Sequence, residues 1–107
     1  MSRVLSAAIV ITILVSACSG GAERRREYWT TRLNSELPRG SALAEVKVFF
    51  AKSRLEHSYN ERTRTLYAAE RDISKDIFVS WSVAIECTLD SADKLQSCNA
   101  KVFGTGP

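Results

Sequence analysis

The three cysteines could bind metal, form disulfides or carry a covalent modification, and their spacing excludes some of these roles. They are Cys18, Cys87 and Cys98. A metal knuckle or a redox dithiol needs two cysteines a few residues apart, as in Cys-x-x-Cys, and none of the three has such a neighbour. Cys18 directly follows a long apolar stretch, whereas Cys87 and Cys98 lie close together near the carboxyl end. This pattern predicts one role for Cys18 and another for the later pair.

The sequence offers little for acid–base or nucleophilic catalysis. His57 is the only histidine, and serine or cysteine nucleophiles usually need a positioned base of that kind. It stands beside Glu56 in a polar segment, where we expect a surface histidine. We therefore predict no catalytic residue, no cofactor and no enzymatic activity.

A calcium-loop pattern is equally incomplete. Asp72, Ser74 and Asp76 alternate as the first ligands of such a loop do, but the required glycine is missing. Val83 stands where the loop needs a bidentate glutamate. We predict no metal site and interpret residues 71–76 as a solvated turn between strands.

The apolar stretch before Cys18 is typical of an export signal. Arg3 is followed by an apolar segment at residues 4–17, which is the layout of a secretory signal peptide. Its 14 residues fall short of the roughly 20 that a membrane-spanning helix needs. A buried core helix is the alternative. We predict that residues 1–17 are removed as a signal peptide.

The residues at the end of this segment resemble the lipobox of bacterial lipoproteins. They read Val15-Ser16-Ala17-Cys18, and the resemblance covers residues 1–18. It implies that Cys18 carries lipid and becomes the first mature residue, so that residues 18–22 form the lipidated cysteine and a short tether. The length of the chain predicts that residues 23–107 form one domain. Ser19, in place of the aspartate that retains such proteins in the inner membrane, implies a location in the outer membrane facing the periplasm.

With Cys18 assigned to lipid, two cysteines remain in an oxidising compartment, which predicts a Cys87–Cys98 disulfide. A hairpin with its tip at residues 92–93 would place Cys87 opposite Cys98 and Ile85 opposite Ala100, so one register aligns both pairs. A four-residue loop would keep the same register. Two small buried thiols are the alternative to the disulfide.

The elements that would position these residues are helices followed by strands. Apolar residues at spacing four predict a helix at residues 23–37, and Ser41 offers an N-cap for a second at residues 42–53. Strict alternation predicts a strand at residues 79–89 that returns at 95–103, and weaker alternation predicts strands at 57–59 and 63–70. The segment 57–59 has the weakest pattern. We therefore expect an α+β fold with one or two N-terminal helices packed on a three-stranded antiparallel meander. Whether the first helix packs on the sheet or is a loose linker stays open.

Three consecutive arginines and a tryptophan follow the expected anchor. They are Arg24, Arg25, Arg26 and Trp29. Basic residues this close to a lipidated cysteine would reach anionic headgroups, each contributing about 1 kcal/mol. The alternative is a solvated helix face on which Glu23 and Glu27 neutralise the arginines. Trp29 is either a core residue or an exposed contact for a partner.

The segments LPRGSALAEVKVFF and CTLDSADKLQSCNAKVF resemble small outer-membrane lipoproteins of the SmpA/OmlA type, and the resemblance covers about residues 38–103. In that family a glycine-led helix precedes an antiparallel sheet with a hairpin turn of the form Asp-x-x-Asp/Gly-Lys-Leu. The net charge of +3 is too mild to indicate nucleic acid as a partner, and export argues against it as well. We expect a membrane-anchored, non-enzymatic interaction or structural module with an envelope protein as its partner. A periplasmic inhibitor or immunity-like protein that blocks a hydrolase or toxin is the alternative.

Overall fold

The computed structural model describes residues 20–75 and 78–106, so the expected signal peptide and Cys18 lie outside the described residues. Two helices precede four strands, which confirms the α+β prediction. The helices are α1 (Gly20–Glu36) and α2 (Leu43–Lys52), and the strands are β1 (Glu56–Asn60), β2 (Thr65–Lys75), β3 (Ser80–Leu89) and β4 (Leu95–Thr105).

The sheet has four strands in the order β1-β2-β3-β4, so the expectation of three strands is wrong. The additional strand is β1, which pairs antiparallel with β2 over its whole length. Its inward side chains gain contacts with α2 that no sequence alternation reveals. The His57 ring lies 5.9 Å from the ring of Phe50, and the Lys47 ammonium lies 5.2 Å from the ring of Tyr59. Tertiary contact with α2 therefore stabilises a segment whose own pattern is weak.

The β3–β4 hairpin confirms the predicted register. Cys87 faces Cys98 and Ile85 faces Ala100, and the two cysteines are joined in a disulfide. The register shifts beyond Thr88, so that Leu89 pairs with Leu95. The loop between the two leucines closes on Asp90, whose carboxylate accepts the backbone amides of Ala92 at 2.9 Å and Lys94 at 3.0 Å. This side-chain cap replaces the Asn-Gly or Asp-Gly turn that the sequence lacks.

Helix α1 packs on the sheet, which resolves the question of a loose linker. It buries Ala22, Trp29 and Leu33 against the strands. It begins at Gly20, so residues 20–22, which we had expected to form part of a tether, belong to its first turn. The helix therefore starts two residues after Cys18 in the sequence.

Helix α2 is capped differently from the prediction. Its N-cap is Ala42, and the carboxylate of Glu45 accepts the Ala42 amide at 3.3 Å. The Ser41 hydroxyl instead donates to the carbonyl of Pro38 at 2.6 Å, in the turn that joins the two helices. The prediction of a serine cap was therefore wrong because this hydroxyl is engaged in the preceding turn.

Strand β2 contains a bulge where we had expected a solvated turn. Glu70 pairs with Val83 and Ser74 pairs with Trp81, so residues 71–73 lie opposite a single residue of β3. That residue is Ser82, whose hydroxyl accepts the amide of Asp72 at 3.1 Å. Asp72 has a φ of 55°, a left-handed conformation that aspartate tolerates. The strand thus continues to Lys75, and Asp76 lies outside the described residues.

One core lies between the helices and the inward face of the sheet. Its largest fully buried side chains include Phe50, Leu66 and Ile85. The rings of Trp29, Phe49 and Phe50 follow one another in edge contacts, with centroids 6.4 and 5.8 Å apart. Edge contacts of this kind add to the stabilisation from burial and hold α1 and α2 together over the sheet.

Candidate functional site

Both described helices pack on the same face of the sheet, and they leave the opposite face open. On β3 the inward residues Val83, Ile85 and Cys87 are fully buried, whereas the outward residues between them remain partly exposed. Within residues 20–75 and 78–106, no helix lies over the outward side chains. An exposed sheet face of this kind is typical of antiparallel sheets, and it offers a broad surface to other molecules.

A groove crosses the middle of this open face. Its floor is formed by Ala69 and Ala84, which are direct partners in the β2–β3 ladder. Tyr67, 43% exposed, lies on one side of the alanines, and Phe103 lies on the other. The groove has a volume of about 280 Å³. Two methyl groups between two large rings create this depression, which we call the sheet groove.

Charged side chains border the sheet groove. Glu56 is the β1 partner of Ala69, and its carboxylate accepts a hydrogen bond from Arg71 at 2.8 Å. Lys101 is the β4 partner of Ala84, at the other end of the same row, and has no ion pair among the described residues. Glu86, in the neighbouring row, adds an acidic group to the border. An apolar floor between aromatic walls with a polar rim is the usual arrangement of an interaction surface.

A second depression, of about 360 Å³, lies between the two helices. Arg32 lines it, and its guanidinium lies 5.0 Å from the ring centroid of Phe49 and is bonded to the carboxylate of Glu36. A ligand would have to displace this stacked and paired arginine. The depression is therefore a weaker candidate than the sheet groove, which has an alanine floor.

The predicted arginine run does not form one surface. Arg25 lies against the sheet and donates from Nε and Nη2 to the two oxygens of Glu70, at 2.8 and 3.0 Å. Arg26 is paired with Glu23 on the same helix. Arg24 is exposed. Two of the three arginines are thus paired with carboxylates: Arg26 with a partner on its own helix, and Arg25 with Glu70 of β2.

Trp29 is a core residue. It is 3% exposed and donates from Nε1 to Glu70 at 2.9 Å, so it does not present a free contact for a partner. Partial burial raises the pKa of Glu70, but the hydrogen bonds from Arg25 and Trp29 and the charge of Arg25 outweigh it and hold this pKa below its usual range. These three residues, which we call the Glu70 clamp, fix α1 on the sheet.

The other predicted residues lie apart from the sheet groove or at its edge. Cys87 and Cys98 are bonded on the inward face, and Cys18 lies outside the described residues. His57 is exposed, as expected, and its Nδ1 is 2.9 Å from the carbonyl oxygen of Leu55. In the part of the chain that the structure describes, no three acidic, histidine or cysteine side chains could jointly hold a metal ion. No helix in the same ranges has the length and apolarity to cross a bilayer.

Sequence reasoning did not identify the residues of the sheet groove. Alternation assigns Ala84 to the outward face of β3, but the pairing of Ala84 with Ala69 depends on the β2–β3 register. That register in turn depends on the bulge after Glu70. The pattern that could have indicated the groove is a pair of alanines, Ala69 and Ala84, on the solvent face of two strands with aromatic residues nearby.

No protein-family model, curated protein sequence or solved structure matched this chain.

Proposed function

We propose that this chain is a lipid-anchored protein of the bacterial envelope that binds a protein partner through the open face of its sheet and performs no catalysis. The observation that carries the proposal is the sheet groove, where Ala69 and Ala84 form an apolar floor between Tyr67 and Phe103. The occupant that fits is a bulky apolar side chain from a partner, seated on the alanines and flanked by the two rings. Aromatic residues around a small pocket are enriched at the sites that dominate binding energy.

The envelope location is supported by two independent features. The lipobox resemblance ends at Cys18, which would attach the domain to the outer membrane on its periplasmic side. The bonded pair Cys87–Cys98 favours an oxidising compartment, since reducing conditions in the cytosol disfavour such bonds. Mass spectrometry of the protein extracted from membranes tests the anchor. We expect a first residue at Cys18 with acyl mass added, and a Cys18→Ser variant that lacks it.

Site-specific photocrosslinking in the intact envelope tests the partner surface. A photoreactive amino acid replaces Tyr67 in the sheet groove, and the matched control replaces Val48, which is 55% exposed on α2. We expect one discrete adduct from position 67 and none from position 48. The adduct should disappear in Ala84→Arg, which fills the groove floor, and persist in Ala44→Arg, which places the same charge on the exposed surface of α2.

The identity of the adduct separates the two classes of function. A scaffold or barrel protein would support an interaction module, whereas a secreted hydrolase or toxin would support an inhibitor. Equal labelling from positions 67 and 48, or an adduct that survives Ala84→Arg, would refute the assignment of the sheet groove as the binding surface.

A further inference from the structure

Four parts of the chain meet at one end of the sheet, which we call the near end. Gly21, in the first turn of α1, lies beside Ser74 of β2, since a Cβ at Gly21 would stand 3.6 Å from the Cβ of Ser74. Ser74 pairs with Trp81 of β3, and Trp81 pairs with Gly104 of β4. The start of α1 therefore lies at the same end as the close of β2, the start of β3 and the close of β4.

The connections at the other end of the sheet are distant from the start of α1. Arg64, before β2, bonds to Asp93 in the β3–β4 loop at 2.9 Å. The turn between the two helices lies at this other end as well, since the Gly40 amide donates to the carbonyl of Leu95, the first residue of β4, at 2.8 Å. The described chain therefore begins at the near end, with Gly20 two positions after Cys18 in the sequence.

An exposed aromatic side chain lies at the near end. Phe78 precedes β3 and is 69% exposed, the most exposed of the large hydrophobic side chains in the described residues. A Cβ at Gly106 would stand 3.8 Å from the Phe78 carbonyl oxygen, so the segment after β4 passes directly beside it. Three residue steps separate Phe78 from Trp81, which limits the separation of their Cα atoms to about 11 Å.

We infer that the near end, through Phe78, inserts into the interfacial region of the bilayer that holds the anchor, an inference that rests on the proposed lipidation of Cys18. Two residue steps separate Cys18 from Gly20, which limits the separation of their Cα atoms to about 7 Å. The acyl chains and the start of α1 are thus held close together, and the near end must face the lipid. Transfer of an exposed aromatic ring from water into the acyl–headgroup boundary is favourable, and Phe78 is 69% exposed.

The contact is apolar and does not depend on the arginine run. Arg25 and Arg26 are already paired with Glu70 and Glu23, and the exposed Arg24 lies on the same helix as the exposed Glu27. Two of the three arginines near the start of α1 are therefore already engaged by carboxylates. Insertion of a ring tolerates high salt, whereas attraction between charges at a surface weakens as the Debye length falls.

Fluorescence quenching by brominated lipids tests this orientation. The lipidated mature protein is reconstituted in phosphatidylcholine vesicles whose acyl chains carry bromine, and its two native tryptophans give the background signal. Phe78→Trp adds a reporter at the near end, and Val48→Trp adds one on α2 as the matched control. We expect the added signal at position 78 to be quenched at least about twofold more than that at position 48, because indole favours the membrane interface. This difference should persist when salt is raised from about 0.1 to 1 M.

The outcomes separate failure of the anchor from failure of the orientation. If the protein floats with the vesicles but positions 78 and 48 are quenched equally, the orientation is overturned and the anchor stands. Quenching at position 78 that disappears at high salt also overturns the inference, because it assigns the contact to charges. A mature protein that does not float with the vesicles overturns the proposed anchor and the inference with it.

Discussion

Removal of the Cys87–Cys98 disulfide provides a quantitative test of how the hairpin contributes to stability. The two cysteines are cross-strand partners on the inward face, 11 positions apart in the sequence. Cys98→Ala is the milder change, because Cys98 is only partly buried whereas Cys87 is fully buried. The remaining Cys87 thiol is then a small apolar side chain in the core.

The expected loss follows from the size of the closed loop. In the chain-entropy model, closing a loop of about 11 residues removes roughly 9 cal/mol/K from the unfolded ensemble, or about 2.8 kcal/mol at 25 °C. A domain of this size has a total stability of about 5–15 kcal/mol, so the loss is a large fraction of it. Each kcal/mol moves the Tm of such a domain by roughly 4–8 °C, so a fall of about 11–22 °C is expected.

Urea denaturation of the mature protein, followed by circular dichroism, measures this loss. The wild type in reductant should unfold at the same urea concentration as Cys98→Ala, since both lack the bond. Ser97→Ala, next to Cys98 on the outward face, is the matched control and should leave the midpoint unchanged. A loss below about 1 kcal/mol, or a reductant that lowers the midpoint of Cys98→Ala as well, would refute the assignment of this stabilisation to loop closure.

Two further perturbations test the contacts that hold α1 and the near end. Partial burial raises the pKa of Glu70, but the hydrogen bonds from α1 lower it by more, so its pKa is lower in the folded protein than in the unfolded chain. The Glu70 carboxylate therefore stabilises the fold above its unfolded-state pKa of about 4.3. This contribution to the free energy of unfolding is lost as the pH falls through the lower folded-state pKa. We expect Glu70→Gln to cost about 1 kcal/mol at pH 7 and to flatten the fall in urea midpoint between pH 5 and pH 3; an equally steep fall would contradict the Glu70 clamp. Gly104→Ala should lower the free energy of unfolding by about 1–3 kcal/mol, because the new Cβ would stand 2.8 Å from a methyl group of Val79. Gly106→Ala is the control, since its Cβ would make only an ordinary contact at 3.8 Å, and it should leave the urea midpoint unchanged.

The predictions that succeeded depended on regular patterns within one segment. The alternation in β3 and the two cysteines were sufficient to predict the pairing of Cys87 with Cys98, and the structure confirms it. The spacing of Trp29 and Leu33 placed them on one face of the predicted helix for the same reason, and the structure shows that this face is the buried one. A period of two or of about 3.6 residues reports which side chains share a face, and that information is local.

The predictions that failed concerned segments whose conformation depends on distant contacts. The strand at 57–59 was predicted and is present, but the sheet was expected to have three strands because the weak pattern of this segment did not reveal the contacts of His57 and Tyr59 with α2. The bulge after Glu70 replaces an expected turn because Ser82, on the neighbouring strand, accepts the amide of Asp72. The arginine run was ambiguous for the same reason, since the partner of Arg25 is Glu70, 45 residues away. Hydrogen bonds across such separations are not visible in any local pattern.

The sequence by itself determined the chemistry that is available: three cysteines with distinct positions, no apparent catalytic pair, a leader that resembles that of lipoproteins, and alternating strands that require one buried face. Only the tertiary structure decided which face the described helices leave open and which end of the sheet lies beside the start of α1. Side-chain period identifies the two faces of a strand, but the covered face is chosen by where the helices pack, and that choice depends on contacts such as the one between Trp29 and Glu70. The sheet groove and the near end are both consequences of that packing.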